Sequence, residues 1–537
     1  MNIVKLDEDT LRHICVRCTT EGIFTISSTC RTLRACVLPF VLSSTTVHPS
    51  TVAKVREFCN TILCEAPGPI LSLHNLHIMH LHEALKPRPD GPGNELDPEL
   101  VQLLTLMFAR LANEKKLRRL TMDGMDLIAE HPALMETIAT LPELEDIQFF
   151  LFPPKAVTGF ALKLKSRPHR FTLSQMQFCG EDSSIADILN YMAPSSTPVA
   201  DEETHNANSP ATEVVQHGVL ASLSSLKFLY VSLLVYPPSA PPLVACLQFC
   251  SVDELALVDG FVQMDSVFHA FPNVRRLTLR FPEDPNYHDE SGPTPRRDLD
   301  HLNISVSSFA LWQTKSLVSW LELDLQDCKL TPHIPWQEMS PVALTVHYKI
   351  LKGHNRDFWR ELVTVIPHTV RSFELILAMD MMPWDTGHAS HTSDVFFLLD
   401  LVRIVLEELA HASLPLVYLR VYCAILDEHI DHDTTIDPLR LIPREVKEHL
   451  PGLQYLSLGV GEWINHHLTP FLPTNDPKWR YSWWRFSEDE EEGRYMPVAV
   501  GERLRKEMFM RGCDFESLAM REVQLSKNIG DTDWLQL

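Results

Sequence analysis

Residues Trp320 to Leu330 read "WLELDLQDCKL", and the spacing of their apolar side chains decides how the rest of the chain is read. Trp320, Leu323, Leu325, Cys328 and Leu330 follow the pattern apolar-x-x-apolar-x-apolar-x-x-small-x-apolar. The alternation around Leu323 and Leu325 has the period of a strand, in which successive side chains point to opposite faces. The step to Cys328 and Leu330 then reads as a turn away from that strand.

Weaker copies recur on both sides. Taking the last strand residue of each as its anchor gives Ile78, Met122, Phe149, Leu173, Val231, Leu257, Leu279, Leu325, Leu375, Val421 and Leu458. Most gaps between them are about 22 to 27 residues or about twice that, the signature of a structural repeat with degenerate or enlarged units. Several copies begin with a proline, as in "LPELEDIQFF", "FPNVRRLTLRF" and "LPGLQYLSLGV", which suits a helix ending where a strand begins. Glu99 to Ala112 and Val395 to Ala410 carry apolar residues at helical spacing between the strands. "KPRPDGPGNELDP", "APSSTPVADEETHNANSPAT" and "FPEDPNYHDESGPTPRRD" are poor in apolar residues and are expected to be disordered insertions near 86–98, 194–213 and 281–299.

This pattern resembles an irregular leucine-rich repeat. The asparagine typical of that repeat is missing, with Met125, Leu234, Gly260 or Cys328 in its place, so the ladder is expected to be irregular. The resemblance implies that the anchor residues face a core and that the residue before each anchor faces outward. Those outward positions are His77, Thr121, Gln148, Thr172, Tyr230, Ala256, Thr278, Asp324, Glu374, Arg420 and Ser457. They form a mixed surface suited to a protein partner, and His77, Gln148, Tyr230, Asp324, Glu374 and Arg420 are its substrate-surface candidates.

The start of the chain is different. In "LRHICVRC", Leu11, Ile14, Cys15 and Cys18 fall on one stripe of a helix, with Asp7 as its cap and Leu6 able to pack onto Leu11. The two cysteines have the spacing of half a metal site, but His13, Cys30 and Cys36 supply no second close pair, so core packing is the preferred reading. A second short helix around Ile23 to Ile26 and a third from Ser27 or Ser28 to Pro39 complete a small module with apolar surface to bury.

"LDEDTLRHICVRCTTEGIFTISSTCRTLRACVLPFVLSSTTV" resembles an F-box, most specifically in the Ser-x-x-Cys-Arg-x-Leu-Arg run of Ser27 to Arg34. Asp7 replaces the family's proline and Cys18 its large aliphatic residue, and both leave the helical stripe intact. The resemblance is to fungal-type F-box proteins with degenerate leucine-rich repeats. It implies docking on a Skp-type adaptor, and through it on a cullin ligase, by Leu6, Asp7, Leu11, Ile14, Leu33 and Val37.

Composition narrows the function classes. The 537 residues are 45% hydrophobic and 22% charged, as in folded proteins. A net charge of -23 with only short basic runs, such as Lys115 to Arg119, argues against nucleic-acid binding. The opening "MNIVKLDEDT" does not read as a signal peptide, no apolar run is long enough for a bilayer, and twelve scattered cysteines suit a reducing compartment. Cytoplasmic or nuclear residence, without membrane, is therefore expected.

No GxxxxGK[ST], HExxH or GxSxG motif occurs, and Gly459-Val-Gly461 reads as a turn after the "LQYLSL" strand. No catalytic residue, cofactor or metal is expected. His74, His77, His80 and His82 read as surface histidines, because strand alternation does not gather them at one point. "KWRYSWWRF", Lys478 to Phe486, reads as a strand that caps the array, with an aromatic contact patch as the alternative.

The expected architecture is α/β. It comprises an all-α F-box-like three-helix module at 1–45, an irregular leucine-rich solenoid at 46–470 and a capping segment at 471–537. The expected role is substrate recognition for an SCF-type ubiquitin ligase. A repeat scaffold with a decayed F-box is the alternative.

Overall fold

A computed structural model describes residues 44–47, 51–64, 73–79, 97–176, 185–192, 221–233, 248–259, 264–280, 298–309, 316–325, 334–350, 356–379, 391–425, 442–462, 479–487, 493–510, 515 and 522. The F-box-like segment lies outside the described residues, with Leu6, Asp7, Leu11, Ile14, Leu33 and Val37. So do residues 86–96, 194–213 and 281–297 of the three expected insertions. The described chain is mixed α/β with mostly parallel strands, and it divides into two compact units at Val274 and Arg275.

In the first unit, β1 (Ser44–Val47), β2 (Asn75–Ile78), β3 (Arg119–Met122), β4 (Asp146–Phe150), β5 (Arg170–Met176), β6 (Phe228–Leu233) and β7 (Glu254–Val258) each pair in parallel with the next. Pairing aligns Val47, Ile78, Met122, Phe149, Leu173, Val231 and Leu257 in one row. Leu76, Leu120, Ile147, Phe171, Leu229 and Leu255, two residues earlier and so on the same face, are also buried. Phe149 meets Phe152, Phe160 and Phe171 edge-on at ring-centre distances of 5.3, 5.2 and 6.4 Å. This geometry suits aromatic quadrupoles.

The helices of this unit are α1 (Val52–Cys64), α2 (Pro98–Glu114), α3 (Met125–Ala129), α4 (Pro132–Ala139), α5 (Pro154–Lys163), α6 (Ile185–Tyr191) and α7 (Met264–Ala270). α2 packs on α1 and α4, and α5 on α4 and α6. Proline opens α2, α4 and α5, where its missing N–H leaves no intrahelical bond unmade. The Asp97 carboxylate caps α2 by accepting from the Glu99 N–H at 2.9 Å, and Arg56 pairs with it. Pro98 thus begins a helix although it falls in the range expected for the first insertion. Leu299, at the end of the third, likewise begins a strand.

In the second unit, β8 (Arg276–Arg280), β9 (Leu299–Ser305), β10 (Val318–Asp324), β11 (Ala343–Ile350), β12 (Ser372–Met379), β13 (Tyr418–Ile425) and β14 (Tyr455–Glu462) pair in parallel and in chain order. β15 (Trp479–Arg485) and β16 (Arg494–Met496) follow antiparallel. The helices are α8 (Val306–Phe309), α9 (Trp336–Met339), α10 (Arg356–Val365), α11 (His391–His411), α12 (Ile442–His449) and α13 (Val498–Met510). α11 packs between α10 and α12.

Pairing corrects two details of the sequence reading. The anchor of β10 is Leu323, aligned with Ile304 and Val346, and Leu325 lies just beyond the strand. An error of two residues preserves the face but moves the outward position from Asp324 to Glu322. Gly459 and Gly461 do not form a turn: β14 runs through both, held by β13 on one side and β15 on the other. Two strands, β9 and β11, fill the doubled gaps on either side of β10 and restore the single period there.

Candidate functional site

The strands of the second unit alternate strictly. One face presents Leu302, Ile304, Leu321, Leu323, Leu344, Val346, Phe373, Leu375, Leu419, Val421, Leu456 and Leu458, all buried. The other presents a row fixed by the pairing: Thr278, Asn303, Glu322, Thr345, Glu374, Arg420, Ser457 and Trp483. Two residues earlier along the strands runs a second row, which includes His301, Trp320, Ser372, Tyr418, Tyr455 and Arg485.

This polar face is covered. Arg505 of α13 donates from Nε and Nη2 to the two Glu374 oxygens at 2.6 and 2.7 Å, the forked pairing that a guanidinium and a carboxylate favour. Tyr418 donates to Glu374 at 3.0 Å and Thr345 at 3.3 Å, while Trp320 Nε1 donates to Thr345 at 2.9 Å. One turn earlier, Glu502 accepts from Arg420 at 3.2 and 3.3 Å and from Trp483 Nε1 at 3.2 Å. Glu522 accepts from the Tyr455 hydroxyl and from Arg485, each at 3.0 Å. Apolar groups fill the spaces between: Phe509 stacks on Trp320 at 4.0 Å, and Val500, Leu504, Met508 and Phe515 join Trp483, Tyr418 and Tyr455 in one buried cluster.

The electrostatics follow from this packing. Burial pushes the Glu374 carboxyl up, but the Arg505 charge and hydrogen bonds, the Arg420 charge and the Tyr418 hydroxyl more than offset it and leave its pKa below the usual value. Burial, reinforced by the Glu374 charge, holds the Tyr418 hydroxyl well above the ordinary tyrosine range. Glu322 accepts from His347 at 2.6 Å and His301 at 2.9 Å. Its burial raises the pKa, and the two histidines, His347 foremost, outweigh that and hold it well below the ordinary range. Every carboxylate here is matched by donors, so the arrangement is chemically that of a desolvated, charge-complementary interface.

The sequence-derived surface candidates separate in the structure. Glu374 and Arg420 belong to the covered network, at 0% and 2% exposure. Asp324 is also buried and pairs with Arg280 at 2.7 Å. A sequence pattern identifies the face of a strand but not what lies on it, and α13 lies far along the chain from the strands it covers. In the first unit Tyr230 is buried, while His77 on β2 and Gln148 on β4 are half-buried. Burial lowers the pKa of His77, against the opposing Asp146 charge.

Beside Gln148 the Asp146 carboxylate lies 4.0 Å from Arg119 and 3.9 Å from Arg170, whose guanidinium sits 4.1 Å above the Phe228 ring. Arg119 and Arg170 keep 60% and 41% of their side chains exposed. Neither appeared among the sequence candidates, which covered only one row of the face. Glu502, Arg505 and Glu522 were missed because nothing local marks a C-terminal helix as the partner of distant strands.

Among the described residues, no group of three or more His, Cys, Asp and Glu is arranged to hold a metal ion, and no helix is long and apolar enough to cross a membrane. His80, His82, Cys15 and Cys18 lie outside the described residues. A cleft of about 480 Å³ lies by α10 and α11, lined by Arg356, Arg360, His368, Glu408 and His411. Its arginines are already engaged, Arg356 with Glu407 and Glu408 at 2.6 and 2.9 Å. A scan against protein-family models matches none, and a search of curated proteins finds no relative.

Proposed function

We propose that the chain is the substrate-recognition subunit of an SCF-type cullin ubiquitin ligase, in which an F-box-like segment docks a Skp-type adaptor and an irregular leucine-rich solenoid engages a protein substrate. The observation that carries the repeat half of this reading is the ladder itself. Successive strands pair in parallel in chain order, helices lie between them, and one row of anchors stays aligned through each unit. The adaptor half rests on the sequence from Leu6 to Val37.

On this reading the accessible substrate contacts of the first unit are His77, Arg119, Gln148 and Arg170, with Asp146 fixing the two arginines. Such a subunit acts without catalytic residues or cofactor, by raising the local concentration of substrate beside a conjugating enzyme, in the cytoplasm or nucleus. Co-purification with a Skp-type adaptor tests it. The wild type binds, and Leu11→Asp combined with Ile14→Asp abolishes binding. A wild type that does not bind refutes the ligase role and favours the second reading, a repeat scaffold whose F-box has decayed at Asp7 and Cys18.

A further inference from the structure

The face beneath α13 is patterned as a surface rather than a core. A parallel sheet built to be covered on both sides ordinarily reads as continuous aliphatic strands. Here β10 to β14 place Glu322, Thr345, Glu374, Arg420 and Ser457 in one unbroken row on the covered side.

The cover also leaves part of that face unsatisfied. The hydroxyls of Ser372 and Ser457, both at 0% exposure, have no hydrogen-bond partner. α13 therefore answers the charges of the face but not all of its polar groups.

The attachment of α13 is of the kind that can come undone. Among the described residues, its hydrogen bonds to the strands are made by side chains, while the N–H groups of Val500 and Gly501 donate to the Pro497 carbonyl within its own segment. Lifting it breaks no strand ladder. The anchors it meets are Trp320, Tyr418, Trp483 and Arg420, residue types that dominate the binding energy of protein interfaces. Buried ion pairs such as Arg505–Glu374 select one partner geometry more than they add net stability.

We propose that the polar face of β10–β14 is the docking site for a helix of a partner protein, and that α13 is the intramolecular occupant which must leave before that helix binds. The contacts of α13 specify the chemistry of the partner. It presents a small residue, then a carboxylate, an arginine three residues on and an aromatic four further on, as Gly501, Glu502, Arg505 and Phe509 do. The small residue is required because a Cβ at Gly501 would overlap the Trp483 ring. Naming this partner a ligase substrate rests on the function proposed above; the docking site itself does not.

The test uses the full-length chain and a fluorescent peptide of sequence Pro497 to Met510. Arg505→Glu sets a carboxylate against Glu374, and Gly501→Ala wedges the helix off Trp483 while keeping every charge. In either variant, hydrogen exchange of α13 amides is expected to accelerate at least tenfold more than that of β12 and β13 amides. The variants are also expected to bind the peptide at least tenfold more tightly than the wild type, and a peptide carrying Arg505→Glu is expected not to bind. An equal loss of protection in β12, β13 and α13 in both variants makes the helix an integral part of the fold and overturns the proposal, as does failure of both variants to gain peptide binding. Adaptor co-purification is read separately, so failure of the ligase reading leaves this outcome intact.

Discussion

As long as α13 stays docked, replacing either partner of the Arg505–Glu374 pair strands the other in a site without water. Both are buried, at 5% and 0% exposure, and Glu374 takes two of its four hydrogen bonds from Arg505. Arg505→Leu leaves an ionised carboxylate held only by Tyr418 and Thr345. Glu374→Leu leaves a guanidinium facing leucine. Removal of one partner from a buried pair costs about 3 to 5 kcal/mol, whereas exchange of both for packed apolar groups is close to neutral.

The double leucine variant is therefore expected to unfold within about 1 kcal/mol of the wild type, while each single variant loses several times that. Urea unfolding followed by tryptophan fluorescence, to which Trp320 and Trp483 beside this network contribute, measures all four proteins. Single effects that add in the double variant, or single losses below about 1 kcal/mol, would mean that the pair behaves as a solvated surface bridge and would refute the reasoning.

Glu322 gives a pH dependence with a definite sign. Its folded pKa is depressed below the reference of 4.5, so its contribution is fully present above that value and is lost as pH falls toward the folded pKa. Glu322→Gln is expected to flatten the fall in unfolding free energy below pH 4.5, and unchanged slopes would contradict the His301–Glu322–His347 arrangement. Phe149→Ala empties a site ringed by three phenylalanines and is expected to cost about 3 to 5 kcal/mol, read as a fall in the unfolding midpoint. Burial pushes the Cys59 thiol up to about 12, whereas Cys64 and Cys250 are exposed. Mass mapping after brief alkylation of the native protein at pH 8 should find Cys64 and Cys250 labelled and Cys59 not, since the thiolate is the nucleophile.

The repeat was legible where aliphatic anchors alternate in a short run, as in "LPELEDIQFF" and "LPGLQYLSLGV", because burial of one strand face imposes period two on the sequence. It was lost at β9 and β11. "LDHLNIS" sets polar and apolar residues too evenly, and "ALTVHYKI" places His347 and Tyr348 where the pattern calls for a clean break. In sequence Leu325 reads as the anchor as readily as Leu323, because both are apolar and fall on the same side of the strand, and only the neighbouring strands choose between them.

The site was half legible for a related reason. Alternation identified the face that bears Glu374 and Arg420, but a helix more than a hundred residues away supplies Arg505, and period alone carries no information about such distant partners. Arg119 and Arg170 escaped because they lie one strand period before the row that the repeat pattern singles out.

The antiparallel end of the second unit has a consequence for how such a chain avoids its own copies. β14 would otherwise offer a long row of unpaired N–H and C=O groups, the template on which a foreign strand adds. β15 takes that row, and β16, only three residues long, leaves little backbone beyond it. Gly493, just ahead of β16, has φ 68°, a conformation suited to glycine. Among the described strands, the second unit thus ends on a three-residue strand, which offers a copy of the chain far less edge to pair with than the eight residues of β14 would.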